Sequence, residues 1–171
     1  SLKVEELVSK IKDSQLTSVE ICKKYIERVN EFEKDVKAWV HLNKKLLLEK
    51  AAEADEHRRS GKPTGPLHGI PVAVKDIIGT LDMPTECGTV IRKGKSYSQN
   101  AEIVDLLLSA GAIVMGKTAT SELAYLGPSK TTNPHDYTRT PGGSSSGSAA
   151  SVASFMAPLS IGSQTGGSVI R

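Results

Sequence analysis

The sequence GGSSSGS occupies residues 142–148, and GGS recurs at residues 166–168 after a short apolar run. Glycine adopts positive φ and has no Cβ, so serines placed between paired glycines indicate backbone that comes close to a ligand. A serine hydroxyl is a poor nucleophile until a base removes its proton. These two turns are therefore the first place to look for reactive serines, and the rest of the chain for a base.

Short apolar runs and helical patterns alternate in the half of the chain that contains these turns. Buried strands are predicted at residues 70–74, 112–115 and 159–162 because these runs are apolar and bounded by Gly or Pro. Helices are predicted over residues 100–110 and 149–157. This alternation predicts an α/β fold with a sheet covered by helices.

The N-terminal part of the chain carries helical patterns only. Leu7, Val8 and Ile11 share one face of a first short helix, and the sequence TSVE at residues 17–20 is a capping box that begins a second. A third, charged helix is predicted from about residue 42 to residue 59. We assign these helices to packing and no chemistry to them.

Composition excludes several classes of protein. The chain has 171 residues, 38% of them apolar, and a net charge of +3 from scattered cations, which favours one domain with a real core and no direct nucleic-acid binding. No apolar run reaches the roughly eighteen residues that a membrane span requires. Cys22 and Cys87 lie far apart, so neither a disulfide framework nor a metal site is indicated, and a reducing, cytoplasmic compartment is expected.

Lys75 ends the predicted strand at residues 70–74 and has two interpretations. It marks the point where the strand meets water or pairs with Asp76, or it is the base that the serines need. A free lysine has a pKa of about 10.4, and burial among apolar groups would lower it toward a neutral amine. None of the four histidines lies in a recognisable serine-hydrolase context, and His68 is expected to be structural.

Residues 111–118 (GAIVMGKT) have the spacing of a nucleotide-binding P-loop. That mechanism needs a loop between the glycines, whereas the intervening apolar residues favour a strand. Residues 127–147 are rich in Gly, Pro, Ser, Thr and Asn, and loops of this length are often functional.

Four blocks resemble those of the amidase signature family, in the family's order and spacing. They are GIPVAVKD at residues 69–76, GKTATSE at 116–122, TPGGSSSGSAA at 140–150 and TGGSVIR at 165–171. The resemblance runs from the N-terminal helices to the last residue. It implies a mixed β-sheet covered by helices on both sides, and a catalytic set of a serine, a second serine with a cis peptide bond and a lysine.

Matched residue by residue, the resemblance gives each group a role. Ser168 would be the nucleophile that forms an acyl-enzyme, Ser144 the cis-serine that relays a proton, and Lys75 the neutral base. The oxyanion hole would be formed by the N–H groups of the turn at Thr165, Gly166, Gly167 and Ser168. No cofactor is implied.

The neighbouring polar residues are expected to have other roles. Turn, cap or hydrogen-bonding roles are expected for Ser145, Ser146 and Ser148. Ser121 and Glu122 are expected to cap or brace a helix. Arg171 has two alternative expected roles. It positions Ser168 or binds a substrate carboxylate, or it forms a structural salt bridge.

The chain departs from the family pattern in two ways. It has SSSG at residues 144–147 where many members have SSGG, which is interpreted as subfamily variation. It also ends shortly after Ser168, whereas the family's catalytic domain is several hundred residues long. Residues 1–171 are therefore expected to be the N-terminal portion of one catalytic domain, inactive alone, with a helical segment at 1–63 and an α/β part at 64–171.

Three functions remain open on the sequence alone. The first is hydrolysis of a small carboxamide to an acid and ammonia or an amine, by a protein that acts alone or as a homo-oligomer. The second is the A subunit of a tRNA-dependent glutamine amidotransferase, although that subunit commonly has Met-Asp-Glu after Gly-Lys-Thr-Asn and this chain does not. The third is a non-catalytic module that binds an anion or nucleotide at the glycine-rich turns.

Overall fold

A computed structural model describes residues 2–170. Its helices and strands, numbered in chain order, are α1 (Val4–Lys12), α2 (Ser18–Val36), β1 (Trp39–His41), α3 (Lys44–Arg59), β2 (Pro71–Lys75), α4 (Glu102–Ser109), β3 (Ile113–Thr118), α5 (Ser146–Ala153) and β4 (Leu159–Ile161). Short 3-10 helices lie at Val90–Arg92 and Glu122–Ala124.

The strands form one mixed sheet in the order β1-β3-β2-β4. Strand β2 runs parallel to both β3 and β4, and β1 pairs antiparallel with β3. The α/β prediction is confirmed. The helical assignment of residues 1–63 is wrong at β1, because a three-residue strand between two helices is too short to show an alternating pattern.

Helices cover both faces of the sheet. Successive strand residues point to opposite faces, so Ala73 and Val74 of β2 mark the two sides. Ala73 packs in one core cluster with Met115 of β3 and Leu47 of α3. Val74 packs in another cluster with Val104 of α4. Polar side chains at the end of β2 are therefore held between two apolar layers.

The helix boundaries follow from capping groups. The Thr17 hydroxyl accepts a hydrogen bond from the Glu20 N–H (3.1 Å) and the Glu20 carboxylate accepts one from the Thr17 N–H (2.8 Å), which confirms the predicted start of α2. Helix α3 begins two residues after the predicted position because Asn43 caps it. Helix α5 covers Ser146–Ala153 instead of residues 149–157, because small residues give no periodicity from which to place its ends.

The P-loop interpretation of residues 111–118 is wrong. Gly116 lies inside β3, and a Cβ placed there would be 2.5 Å from the carbonyl oxygen of His41 in β1. The glycine is therefore required by the close approach of β1. Lys117 and Thr118 are also strand residues and do not form a phosphate-binding loop.

Lys117 and Asp76 form a fully buried ion pair at the end of the sheet. The Lys117 Nζ lies 3.4 Å from Oδ1 of Asp76 and donates a hydrogen bond to the Thr85 hydroxyl at 2.6 Å. Burial lowers the pKa of Lys117 and raises that of Asp76, and each charge partly offsets this effect on the other. The Asp76 carboxylate is thus paired with Lys117. The alternative interpretation of the sequence, in which Asp76 pairs with Lys75, is wrong.

We predict that Lys117→Met lowers the free energy of unfolding by about 3–5 kcal/mol, because the Asp76 carboxylate is left buried without a counter-charge. Urea denaturation of the purified protein measures this change. The double variant Asp76→Asn/Lys117→Met is the control and should lose less than the sum of its single variants. A loss below about 1 kcal/mol in Lys117→Met would show that the pair is not needed.

Candidate active site

Lys75 is the last residue of β2, and its side chain is fully buried. Its Nζ lies 2.6 Å from the Ser144 Oγ and 2.8 Å from the Ser163 Oγ. The expected alternative in which Lys75 marks where the strand meets water is therefore wrong. The structure places the amine inside the protein, next to two hydroxyl groups.

Ser144 is held by the backbone around it. The peptide bond between Gly143 and Ser144 is cis, and the Ser144 carbonyl accepts a hydrogen bond from the Ser121 N–H at 3.2 Å. Helix α5 begins two residues later, and its first turn contains Gly147. A Cβ at Gly147 would clash with the carbonyl oxygen of Ala38, so only glycine lets the helix come this close.

Ser168 lies in the turn after β4. Its Oγ is 3.0 Å from the Ser144 Oγ, and its carbonyl accepts a hydrogen bond from the Ser145 N–H at 3.3 Å. The Gln164 Oε1 accepts hydrogen bonds from the N–H groups of Val169 (2.9 Å) and Ile170 (2.8 Å), which closes the turn around Ser168. The structure thus brings Lys75, Ser144 and Ser168 into one hydrogen-bonded line.

The same turn presents backbone N–H groups. Within residues 2–170, no acceptor takes a hydrogen bond from the N–H groups of Thr165, Gly166, Gly167 and Ser168. A Cβ built at Gly166 or Gly167 would meet no atom of the described residues within 4 Å, so the space beside these glycines is open. N–H groups in such a position are available to bind a developing negative charge.

Burial lowers the pKa of Lys75 to about 8. Among the described residues, its Nζ contacts two neutral hydroxyl groups and no carboxylate, so nothing nearby restores the preference for the charged form. A substantial fraction of the amine is therefore neutral near pH 8, as a general base requires.

The other serines of the first turn are engaged in structural hydrogen bonds. The Ser145 hydroxyl donates to the carbonyl of Ser163 (3.0 Å), the Ser146 and Ser129 hydroxyls are 2.6 Å apart, and the Ser148 hydroxyl lies 2.8 Å from that of Thr118. These contacts match the hydrogen-bonding roles expected from the sequence.

The remaining candidates lie elsewhere. The Nε2 atom of His68 lies 2.9 Å from the carbonyl oxygen of Ala54, which is a structural contact. The Ser121 hydroxyl donates to the carbonyl of Tyr125 at 2.8 Å and braces the short 3-10 helix, while Glu122 accepts a hydrogen bond from Thr89 at 2.6 Å. Arg171 lies outside the described residues.

Ser163 is the site residue that sequence reasoning misses. It follows β4 by two positions, and β4 lies beside β2 in the sheet. The two strands are parallel, so their C-terminal ends lie at the same edge and Ser163 reaches the Lys75 amine. This residue can be recognised only once the pairing of β2 with β4 is known.

The described part of the chain contains neither a metal-binding cluster of side chains nor a helix that could cross a membrane. Across residues 2–170, no three His, Cys, Asp or Glu side chains gather in a group that could hold a metal ion. None of the helices in this part of the chain combines the length and the apolar character needed to cross a membrane.

Comparison with known proteins shows the family to which this chain belongs. The sequence model of the Amidase family matches residues 20–171. The chain belongs to the amidase family. The A subunit of the glutamyl-tRNA(Gln) amidotransferase of Chloroflexus aurantiacus is 41% identical over 160 residues, which is 90% of this chain and 33% of that protein.

Two solved structures share the fold. The peptide amidase of Stenotrophomonas maltophilia superposes with a TM-score of 0.93 at 35% identity, covering 99% of this chain and 37% of the amidase. Fatty acid amide hydrolase superposes with a TM-score of 0.90 at 29% identity, covering 98% of this chain and 31% of that enzyme. The chain thus spans about a third of the length of the amidase-family relatives that it matches.

We predict that Gly147→Ala lowers the free energy of unfolding by about 1–3 kcal/mol, because the added methyl group overpacks the contact with Ala38. Chemical denaturation measures the loss. Ala149→Ser on the exposed side of the same helix is the matched control and should change stability by less than about 0.5 kcal/mol. Equal stability of Gly147→Ala and the parent would contradict the close packing of α5.

Proposed function

We propose that the protein containing this chain hydrolyses the C–N bond of a carboxamide through an acyl-enzyme on Ser168. The observation that carries this proposal is the line of contacts from the Lys75 Nζ to the Ser144 Oγ (2.6 Å) and on to the Ser168 Oγ (3.0 Å). It joins a buried amine, a relay hydroxyl and a nucleophile at the distances that proton transfer requires.

In the first step the Ser168 Oγ forms a bond to the substrate carbonyl carbon. The Ser168 proton passes to the Ser144 Oγ, and the Ser144 proton passes to the neutral amine of Lys75, which becomes an ammonium ion. The carbonyl oxygen gains the negative charge, and the N–H groups of residues 165–168 bind it. Losing one such donor typically costs about a hundred- to a thousand-fold in rate.

In the second step the tetrahedral intermediate loses its amine. The Lys75 ammonium returns its proton through Ser144 to the leaving nitrogen, the C–N bond breaks and the acyl group stays on Ser168. A water molecule then attacks the acyl carbon while the same relay accepts its proton. The bond between the acyl carbon and the Ser168 Oγ breaks, and the relay returns this proton to the Ser168 Oγ. The products are a carboxylic acid and ammonia or an amine, and the three side chains return to their initial protonation states.

Ser163 contributes to this mechanism by positioning the amine. Its hydroxyl lies 2.8 Å from the Lys75 Nζ, so the amine has a second neutral partner in addition to Ser144. Two hydroxyl partners orient the Nζ without placing a negative charge beside it. A negative charge there would favour the ammonium form of Lys75, which cannot act as a base.

The second candidate function is that of an ammonia-releasing subunit of a glutamine amidotransferase. The 41% identity with the Chloroflexus aurantiacus protein favours it, and such a chain would pass ammonia to a partner subunit. The sequence ATSE at residues 119–122 departs from the Met-Asp-Glu pattern common in that subunit. Glutaminase activity that depends on a co-purifying partner would favour this candidate over a free-standing amidase.

We also propose a cellular compartment, a substrate class, a domain organisation and an oligomeric state for this enzyme. Cys22 and Cys87 are both free thiols, which is consistent with a reducing, cytoplasmic compartment. The substrate is a small-molecule amide, residues 1–171 form the N-terminal portion of one catalytic domain, and self-association into a homo-oligomer is compatible with this role.

A fluorophosphonate probe should label the full-length protein at Ser168, because the probe reacts with activated serine nucleophiles. We predict that Ser168→Ala abolishes labelling and that Ser98→Ala, a change at an exposed serine, leaves it intact. Mass spectrometry of the labelled peptide checks both. Labelling that persists in Ser168→Ala would show that another residue is the nucleophile.

The kcat/KM of the full-length enzyme should rise with pH through about 8, because Lys75 acts only after it loses its proton and burial lowers its pKa to about 8. Well below this value the rate should fall about tenfold per pH unit. Lys75→Met should lose about a hundred- to ten-thousand-fold in kcat/KM. A rate for the parent enzyme that stays flat between about pH 6 and about pH 9 would argue against a lysine base.

A further inference from the structure

A cavity of about 560 Å³ lies beside the first glycine-serine turn. Gly143, which is bonded to Ser144, forms part of its wall, and Tyr125, Leu126 and Pro141 form much of the rest. Ser121 also lines the cavity, and its N–H donates a hydrogen bond to the Ser144 carbonyl at 3.2 Å. The cavity is therefore continuous with the backbone that holds the relay serine.

The direction of proton transfer decides which part of a substrate this cavity faces. In the proposed mechanism the Ser144 hydroxyl gives its proton to the leaving nitrogen, so that nitrogen must come within hydrogen-bond distance of the Ser144 Oγ. The carbonyl oxygen lies instead toward the N–H groups of residues 165–168. Any substituent on the nitrogen therefore extends from the Ser144 side, and Gly143, the residue before Ser144, is part of the wall of the cavity.

The lining of the cavity defines the chemistry of that substituent. Among the residues that the structure describes, no charged side chain lines the cavity. Two of its polar side chains already have local partners: the Ser121 hydroxyl donates to the carbonyl of Tyr125, and the Thr140 hydroxyl accepts from the N–H of Gly142 at 3.2 Å. Within residues 2–170, the largely apolar side chains of Tyr125 and Leu126 are, in contrast, 76% and 78% exposed.

We propose that this cavity is the leaving-group subsite for an uncharged aromatic or branched aliphatic substituent on the amide nitrogen. The protein then cleaves N-substituted amides in preference to primary amides. This inference rests on the proposed function, because it takes the proton path from Ser144 as given. The volume lies within the range of about 300–1,000 Å³ that is usual for small-molecule sites, and a substituent of one ring fits it.

The first test compares amides that share one acyl group and differ only in the amine. The full-length enzyme is assayed with the primary amide, the N-methyl amide, the N-benzyl amide and the N-carboxymethyl amide. We expect kcat/KM for the N-benzyl amide to exceed that for the N-methyl amide by about tenfold, since an added apolar group in a pocket gives at least this factor. The charged N-carboxymethyl amide should be the poorest substrate.

The second test removes apolar surface from the cavity. Leu126→Ala should lower kcat/KM for the N-benzyl amide by about tenfold while the values for the primary and N-methyl amides stay within about twofold. Tyr125→Ala should have the same selective effect. Leu123→Ala is the matched control, because Leu123 is a 56% exposed leucine of the adjoining 3-10 helix and does not line the cavity. It should leave all four values unchanged.

The outcomes separate the subsite from the proposed function. If Ser168 is labelled by the fluorophosphonate probe and primary amides are cleaved at least as fast as the N-benzyl amide, with no selective effect of Leu126→Ala, the subsite is overturned and the amidase stands. If no amide is cleaved and Ser168 is not labelled, the proposed function falls and takes the subsite with it. A selective loss for the N-benzyl amide in Leu126→Ala supports the subsite.

Discussion

The site depends on a buried lysine amine whose partners, among the described residues, are hydroxyl groups and not carboxylates. Lys75 contacts Ser144 and Ser163, and burial without a counter-charge lowers the pKa of its amine to about 8. Asp76, the next residue, would hold Lys75 in its charged form if the two were paired. Instead Asp76 lies 3.4 Å from the Nζ of Lys117, so the two buried lysines have separate partners. Lys117 is paired with a carboxylate, and Lys75, which is not, is the lysine that we propose accepts a proton.

The sheet makes this separation possible. Consecutive residues of a strand point to opposite faces, so Lys75 and Asp76 at the end of β2 are directed apart. Because β2 and β4 are parallel neighbours, the turn at residues 162–168 that follows β4 lies next to the Lys75 side chain. Ser144, two residues before α5, lies at the same edge of the sheet. Ligands of α/β sheets commonly bind at the carboxyl ends of parallel strands, and the three side chains meet at such an edge.

Much of this arrangement can be predicted from the sequence, and the rest cannot for identifiable reasons. The Thr17 capping box and the strand before Lys75 are local patterns, and the sequence predicts both. The partners of Lys75 depend on strand order, which no local pattern contains, so Ser163 is missed and the pairing of Lys75 stays open. Helix α5 is predicted too late in the chain because its small residues lack periodicity. The fold of the Stenotrophomonas maltophilia amidase matches the chain over nearly its whole length, in agreement with the family resemblance read from the four sequence blocks.

The ionisation of Lys75 in the full-length protein tests this account most directly. Lysine labelled with ¹³C at Cε and ¹⁵N at Nζ allows the resonance of each amine to be followed by NMR as the pH changes, and Lys75→Met identifies the resonance of interest. We expect Lys75 to titrate with a pKa of about 8, well below that of exposed lysines, because its amine is buried. A pKa at or above about 10, the value of a free lysine, would show that the amine is an ammonium ion at neutral pH and would contradict the proposed base.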